Sequence, residues 1–252
     1  MFKKGILFIL IFSIFSFFIF SGCSKDKDTG KKLAIATDAT WPPMEFVNKD
    51  KEIVGFNIDM MKAIAKEGGF EVEFRNTAWD GIFAGLAANK YDAVISSVTI
   101  TEERQKNMDF SNPYVNAGQV IVVKKELEGL NKLSQFAGKS AGAQIGTTGA
   151  IEIAKHKDIK LRSYDEIGFA IEDLANGRVD AVVCDSPIAA DYVLQNEQYQ
   201  NILKIVGEPF TKEEYGIAVR KGNKEILDLI NNGLAKVLKK GINKELENKW
   251  LK

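Results

Sequence analysis

Short apolar runs alternate with segments of helical periodicity along the first half of the chain. Residues 33–36 predict a strand, residues 58–67 place apolar side chains at helical spacing, and residues 70–74 alternate apolar and charged positions as a half-exposed strand does. A second helix is predicted over residues 79–88, and a buried strand begins at Tyr91. This β-α-β-α-β order predicts a parallel sheet with helices on its faces.

The same order starts again in the second half of the chain. The phrase YDAV at residues 91–94 is echoed by VDAV at residues 179–182, each at a predicted strand. The further elements predicted are strands at residues 120–123, 140–144, 161–164, 179–184 and 215–219, and helices at residues 150–155, 166–174, 188–196, 225–238 and 244–250. We therefore predict an α/β protein of two similar lobes, each built around a mainly parallel sheet.

The N-terminus has the composition of a secretory signal. Two lysines give a positive start, residues 6–20 are almost wholly apolar, and small residues precede Cys23. A cysteine after small residues resembles the lipobox of bacterial lipoproteins, although Phe20 stands where those proteins usually have Leu. We predict a signal peptide over residues 1–22, a lipidated Cys23 and a solvated tether over residues 23–32. Plain secretion and an uncleaved anchor are the alternatives.

Composition excludes several classes of protein. Lys and Arg number 34, as do Asp and Glu, and the basic stripe that nucleic-acid binding needs is missing from the sequence. His156 is the only histidine, and Cys184 is the only cysteine besides Cys23, so neither a metal site nor a cofactor is predicted. His156 lies among lysines and is predicted to be a solvated surface residue, whereas Cys184 is predicted to be a buried, inert thiol. Acylation of Cys23 leaves no pair for an intramolecular disulfide.

A hydroxyl-rich stretch follows the strand that begins at Tyr91. Hydroxyls come where the strand should end, and acidic residues and an arginine follow in the first turn of a predicted short helix. These residues are Ser96, Ser97, Thr99, Thr101, Glu102, Glu103 and Arg104. Arg104 favours a planar carboxylate, which it can grip with two parallel hydrogen bonds. The alternative is a polar strand-to-helix turn whose hydroxyls only cap the helix.

Seven motifs run along the chain in this order: TDATWPPMEF, GFNIDMMKAIAKE, WDGIFAGL, YDAVISSVTITEERQKNMDFSNPYV, QIGTTGA, VDAVVCDSP and YGIAVRKG. With these motifs the chain resembles the bacterial solute-binding proteins of polar amino-acid ABC transporters. The resemblance implies two α/β lobes joined by two crossovers, with the ligand in the cleft between them. The implied boundaries are residues 33–115 and 211–252 for lobe 1, residues 119–207 for lobe 2, and hinges near residues 114–119 and 208–214.

The resemblance also implies how the backbone of an amino acid is held. Arg104 matches the residue that binds the α-carboxylate, with Thr99 assisting and Thr148 reaching the same carboxylate from across the cleft. Asp185, after a second-lobe strand, would pair with the α-ammonium, and Ser97 would help by accepting a hydrogen bond.

The pocket for the ligand's side chain is implied by further matching positions. Trp41 and Phe83 match residues that sandwich the ligand side chain in relatives, with ordinary core packing as the alternative for both. Asp38 would meet an amide or cationic head, and Gln144 matches a position that varies with the ligand. Asn57 stands where many relatives that take basic amino acids carry Asp, which weakens the case for lysine. The full predicted set is Asp38, Trp41, Phe83, Ser96, Ser97, Thr99, Arg104, Gln144, Thr147, Thr148 and Asp185.

The function implied by the resemblance is transport, not catalysis. The protein would be an extracytoplasmic monomer, anchored to the membrane by its lipid, that binds a polar or basic L-amino acid and delivers it to a permease with its ATPase. Arginine is slightly favoured over glutamine and lysine. Two alternatives stay open: a cyclohexadienyl or arogenate dehydratase on the same scaffold, with Asp38 or Glu45 as the acid, and an amino-acid sensor for a membrane kinase.

Overall fold

The computed structural model describes residues 31–252, so the predicted signal peptide and Cys23 lie outside the described residues. The strands are β1 Lys32–Thr37, β2 Thr40–Trp41, β3 Glu45–Val47, β4 Ile53–Val54, β5 Glu71–Asn76, β6 Ala93–Val94, β7 Met108–Phe110, β8 Val115–Ala117, β9 Gln119–Lys124, β10 Ser140–Gln144, β11 Lys160–Tyr164, β12 Ala181–Asp185, β13 Leu203–Val206, β14 Glu213–Tyr215 and β15 Ala218–Arg220. The helices are α1 Phe56–Gly68, α2 Trp79–Ala87, α3 Glu102–Asn107, α4 Thr148–Ala154, α5 Ile167–Ala175, α6 Ser186–Ala190, α7 Lys224–Lys240 and α8 Ile242–Trp250, with a 3-10 turn at Leu133–Phe136 and a π-helical turn at Asp191–Gln195. Within residues 31–252, no helix has both the length and the apolar character that a membrane crossing requires.

Two five-stranded sheets form the framework of the molecule. The first sheet has the strand order β5-β1-β6-β15-β7, and the second has the order β11-β10-β12-β9-β13. In each sheet a central strand pairs in parallel with two neighbours, β1 with β5 and β6, and β10 with β11 and β12. Antiparallel pairs then extend both sheets, through β15 in the first and β9 in the second. The predicted two-lobe α/β fold is confirmed, with sheets that are mixed.

Two segments connect the sheets. The chain leaves the first sheet after β7 and enters the second at β9 by way of β8, and it returns from β13 to β15 by way of β14. Strands β8 and β14 pair antiparallel, with Val115 opposite Tyr215. They lie in the segments predicted as hinges, and the hinge role itself stays a prediction. The single strand predicted at residues 215–219 is divided into β14 and β15, because the chain passes from the connecting pair into the first sheet at this point.

The two long helices of the first lobe pack closely at a glycine. In α7 the side chains of Ile226, Ile230, Leu234 and Val237 are buried, and Gly241, with a φ of 73°, caps the helix after its last residue. A Cβ added at Gly233 would lie 2.3 Å from the backbone oxygen of Ile64 in α1. Only glycine therefore allows this close approach of α7 to α1.

Candidate functional site

A cavity between the two lobes collects the polar residues that follow the strands. Its lining consists of Asp38, Trp41, Trp79, Ser96, Ser97, Thr99, Arg104, Gln144, Thr147, Thr148 and Asp185. The structure thus brings ten of the eleven predicted site residues together, while their contacts with a ligand stay a prediction. Strand ends of α/β sheets are where ligand-binding groups gather, so this cavity is the candidate site.

Arg104 lies on the first-lobe wall, where its guanidinium is fixed by backbone and aromatic groups. Nη1 donates to the carbonyl oxygen of Thr99 at 2.9 Å, and Nη2 donates to that of Gly146 at 3.3 Å. The guanidinium carbon lies 5.4 Å from the ring centroid of Trp79 and 5.3 Å from that of Phe83. Burial lowers the pKa of Arg104 below its usual value, yet an arginine remains charged in proteins. The guanidinium has five N–H donors, so further N–H groups are available to bind a carboxylate.

Phe83 supports Arg104 from outside the cavity. Its ring meets the ring of Trp79 edge to face, with centroids 5.0 Å apart and an interplanar angle of 75°. Phe83 lines a separate depression beside Arg104 and Met108. Its placement therefore gives no support to the predicted contact with the ligand's side chain, and Trp79 joins Trp41 in the lining instead. Trp79 and Phe83 lie one helical turn apart, so they share a face of α2 and periodicity alone does not separate their roles.

Asp38 and Gln144 meet across the cavity. Asp38 follows β1 and is buried, and Gln144 ends β10 in the other lobe. Gln144 Nε2 donates to Asp38 Oδ2 at 2.9 Å, and Thr40 Oγ1 donates to Asp38 Oδ1 at 2.8 Å. Burial raises the pKa of Asp38, and these two hydrogen bonds oppose the rise. A carboxylate that already accepts an amide N–H is suited to an amide or guanidinium group of a ligand.

Glu45 lies behind the wall of the cavity. Its carboxyl group is fully buried and accepts hydrogen bonds from Ser96 Oγ, at 3.0 Å, and from Asn57 Nδ2. Burial raises the pKa of Glu45 well above its usual value. Asn57 also donates to Ser97 Oγ at 3.1 Å, and Ser97 has a φ of 50°, in the left-handed region that few residues other than glycine adopt. This network fixes the two serines of the first lobe.

Asp185 ends β12 on the second-lobe wall. Its side chain is buried, and Gln119 Nε2 donates to its Oδ1 and also to Thr148 Oγ1, the latter at 3.1 Å. Burial, and then the charge of Glu213, raise the pKa of Asp185 to about 7, while hydrogen bonds with Tyr215 and Gln119 and the charge of Arg104 oppose the rise. Asp185 therefore carries a carboxyl group whose charge state is sensitive to a neighbouring cation.

Thr147 and Thr148 open helix α4, but their hydroxyls have different partners. Thr147 Oγ1 caps the helix, accepting from the N–H of Ala150 at 3.3 Å and donating to the carbonyl oxygen of Gln144 at 2.7 Å. Thr148 Oγ1 lies 2.9 Å from Glu213 Oε2. The Thr147 hydroxyl is therefore committed to local structure, whereas that of Thr148 belongs to a wider polar group.

Glu213 is a member of this polar group that the sequence did not predict. Its Oε2 accepts from Thr99 Oγ1 at 2.7 Å as well as from Thr148, although the residue lies in the connecting strand β14. The local sequence TKEEY gives no signal of burial, because consecutive charged residues are typical of a solvated segment. The pairing of β14 with β8 brings this carboxylate next to two threonines of the cavity lining.

Metal and thiol chemistry find no support in this part of the chain. Residues 31–252 contain no group of three or more His, Cys, Asp or Glu that could hold a metal ion. Cys184 is buried, and burial raises the pKa of its thiol, which disfavours the reactive thiolate. The site therefore offers hydrogen bonds and charges: one guanidinium and two carboxyl groups around a shared cavity.

Comparisons with known proteins identify the family of the chain. Residues 33–252 match the profile of the bacterial extracellular solute-binding proteins, family 3. The chain is 36% identical over 226 residues to ABC transporter arginine-binding protein 1 of Escherichia coli (strain K12), covering 87% of this chain and 90% of that protein. It is 34% identical over 229 residues to the L-cystine-binding protein TcyJ of the same strain, covering 90% and 85%.

Solved structures give the same result. The structure of an ancestral arginine-binding protein bound to arginine matches with a TM-score of 0.83 and 44% identity, covering 89% of this chain and 100% of that chain. The fold and the sequence matches thus agree over most of the chain. The chain belongs to the bacterial extracellular solute-binding proteins of family 3.

Proposed function

We propose that this protein is the amino-acid-binding component of an ABC transporter, and that its ligand is a polar or basic L-amino acid, with arginine favoured over glutamine and lysine. One observation carries the proposal: a single cavity brings Arg104 from the first lobe together with Asp185 from the second, with Asp38 as a further acid. A free amino acid carries one carboxylate and one ammonium. Arg104 would bind the carboxylate and Asp185 the ammonium, which leaves Asp38 for the side chain.

The charge of the cavity favours a ligand with a cationic side chain. Asp38 and Asp185 outnumber Arg104, and Glu213 adds a further acid at the edge. A guanidinium group would supply two N–H donors to Asp38 and reduce the excess of negative charge. Glutamine remains second because its amide could donate to Asp38 as Gln144 does. Lysine follows, since Asn57 stands where many relatives that take basic amino acids carry Asp, which weakens the case for lysine.

The named relatives support the class of ligand. One is called an arginine-binding protein and another an L-cystine-binding protein, and both names describe a polar amino acid. Ancestral arginine-binding proteins of similar identity have been solved with arginine and with glutamine, and both ligands fall within the proposed class. Because relatives of equal similarity differ in their ligand, the choice of arginine rests on Asp38 and on the charge of the cavity.

Delivery of the ligand would use the two lobes. Arg104 and Gly146 already form a hydrogen bond from one lobe to the other, as do Gln144 and Asp38. A ligand that contacts both walls would stabilise the closed arrangement by population shift. The closed protein would dock on a membrane permease that works with an ATPase, and a lipid on Cys23 would keep it at the membrane.

The dehydratase alternative has less support from the geometry. Elimination needs an acid placed over the substrate, and Glu45 lies behind the wall with its carboxyl group held by Ser96 and Asn57. Asp38 reaches the cavity but is held by Thr40 and Gln144. Asp185, opposite Arg104, gives the site the form of an amino-acid clamp.

A thermal-shift screen of the purified protein against the free amino acids tests the proposed function. L-Arginine is expected to raise the melting temperature most, with smaller shifts for glutamine and lysine, because a ligand that binds only the folded protein stabilises it by mass action. Leucine and glutamate serve as apolar and anionic controls. If no polar amino acid raised the melting temperature above that of the ligand-free protein, the proposal would be contradicted.

A further inference from the structure

A depression on the first lobe lies apart from the cavity between the lobes. Its floor is mainly apolar and is formed by Phe83, Leu86 and Ala87 of α2 and by Met108 of β7. Its volume is about 310 Å³, at the lower end of the range of small-molecule sites. Of the two linings, only Arg104 belongs to both. The depression is built from α2, α3, β7 and β15, so its shape needs no contact with the second lobe.

Arg220, the last residue of β15, brings a positive charge to this depression. It is half-buried, and among the residues that the structure describes its guanidinium has neither an ion pair nor a hydrogen bond. The neighbouring charges do have partners, since Lys106 pairs with Glu103 and Lys221 pairs with Asp109. An arginine stays charged in proteins and can bind a planar carboxylate with two parallel hydrogen bonds. Arg220 is therefore available to an anionic ligand.

The balance of charge around the depression favours an anion over a cation. Arg104 and Arg220 line it together with a single acid, Glu103. Glu103 is exposed, and the ammonium group of Lys106 already neutralises it. A cationic ligand would therefore lie next to two guanidinium groups without a carboxylate of its own. An apolar floor beside an unpaired guanidinium suits a molecule with an apolar body and one carboxylate.

We propose that this depression is a second binding site, for a small carboxylate with an aryl or branched alkyl body. Arg220 would bind the carboxylate, and Phe83, Leu86 and Met108 would contact the apolar body. A free amino acid fits this site less well, because its ammonium group would find no unpaired acid in the lining. The proposal does not rest on the proposed function, since none of these contacts involves the ligand of the cavity.

Three small molecules test the two parts of the site. 3-Phenylpropionate has both the apolar body and the carboxylate, 3-phenylpropanamide lacks the charge, and propionate lacks the ring. We expect 3-phenylpropionate to bind with a Kd on the order of 1 mM and the other two to bind at least about fivefold more weakly, measured by saturation-transfer NMR titration. No binding of 3-phenylpropionate, or equal binding of the amide, would overturn the proposal.

Two pairs of variants locate the bound probe. Arg220→Gln removes the cation and is expected to weaken 3-phenylpropionate by at least about fivefold, whereas Lys224→Gln removes a nearby exposed cation and should bind as wild type. Ala87→Phe fills the depression and is expected to cause a loss of at least about fivefold, whereas Ala88→Phe adds the same ring at an exposed position outside the lining. Unchanged binding in a folded Arg220→Gln or Ala87→Phe variant would overturn the proposal.

Competition with an amino acid separates this site from the cavity. With saturating L-arginine, or the amino acid that the thermal-shift screen identifies, we expect the probe still to bind and Arg220→Gln still to weaken it. Displacement of the probe by the amino acid would place it in the cavity and overturn the proposal. Wild-type protein that binds no amino acid contradicts the proposed function alone, because the variants still locate the probe. A cooperative thermal melt checks the folding of each variant, and if Arg220→Gln does not fold, the Ala87→Phe pair decides.

Discussion

Replacing Arg104 with alanine is expected to weaken amino-acid binding by about 2–5 kcal/mol, the cost of leaving a desolvated carboxylate without its charged partner. The guanidinium is positioned by the carbonyl oxygens of Thr99 and Gly146 and by the rings of Trp79 and Phe83. The guanidinium is therefore already held in place before a ligand binds. Calorimetric titration of the variant measures the loss.

Two further variants separate the role of Arg104 from a general effect on the helix. Lys106→Ala removes an exposed cation from the same helix, α3, and should bind as wild type. Arg104→Lys keeps a charge but loses the planar pair of donors, so its affinity should fall between those of wild type and Arg104→Ala. Near-unchanged affinity of Arg104→Ala would remove this residue from the site.

Acidification through pH 7 is expected to weaken ligand binding by up to about tenfold per pH unit, because Asp185 must lose its proton to pair with the α-ammonium. Burial and the charge of Glu213 raise its pKa to about 7 in the absence of a ligand cation. A bound ammonium favours the ionised carboxylate, so binding below pH 7 releases a proton. Calorimetry in buffers of different ionisation enthalpy measures both the affinity and the proton release.

The same carboxyl group affects folding in the opposite direction. Its folded pKa lies above the unfolded value, so its contribution to stability is fully present below about pH 4 and is lost as the pH rises through about 7. Asp185→Asn should remove this part of the pH dependence of unfolding and also the proton release on binding. Asp228→Asn, at an exposed position in α7, is the control. Proton release that persists in Asp185→Asn would assign it to another acid.

The framework of the fold could be predicted because its signals are local. Apolar runs marked the parallel strands, and the hydroxyls and acids at their ends marked most of the cavity. The antiparallel partners β9 and β15 could not be placed in this way, because strand order is set by contacts between distant segments. The short strands β2 and β3 were missed for a related reason, since two or three residues carry no measurable period.

The details of the site depend on geometry that spacing does not carry. Trp79 and Phe83 lie one turn apart on α2 and both contact Arg104, and only the cavity lining shows that Trp79 reaches the cavity while Phe83 does not. Glu213 sits in a charged segment that is typical of solvent exposure, yet the pairing of β14 with β8 buries it between two threonines.

A crystal structure of the protein with L-arginine tests the central claim most directly. The clamp described here predicts the α-carboxylate within about 3 Å of Arg104, the α-ammonium within about 3 Å of Asp185, and the guanidinium beside Asp38. Contacts from both lobes to one ligand molecule would agree with it. Arginine bound outside the cavity, or inside it with its carboxylate away from Arg104, would contradict it.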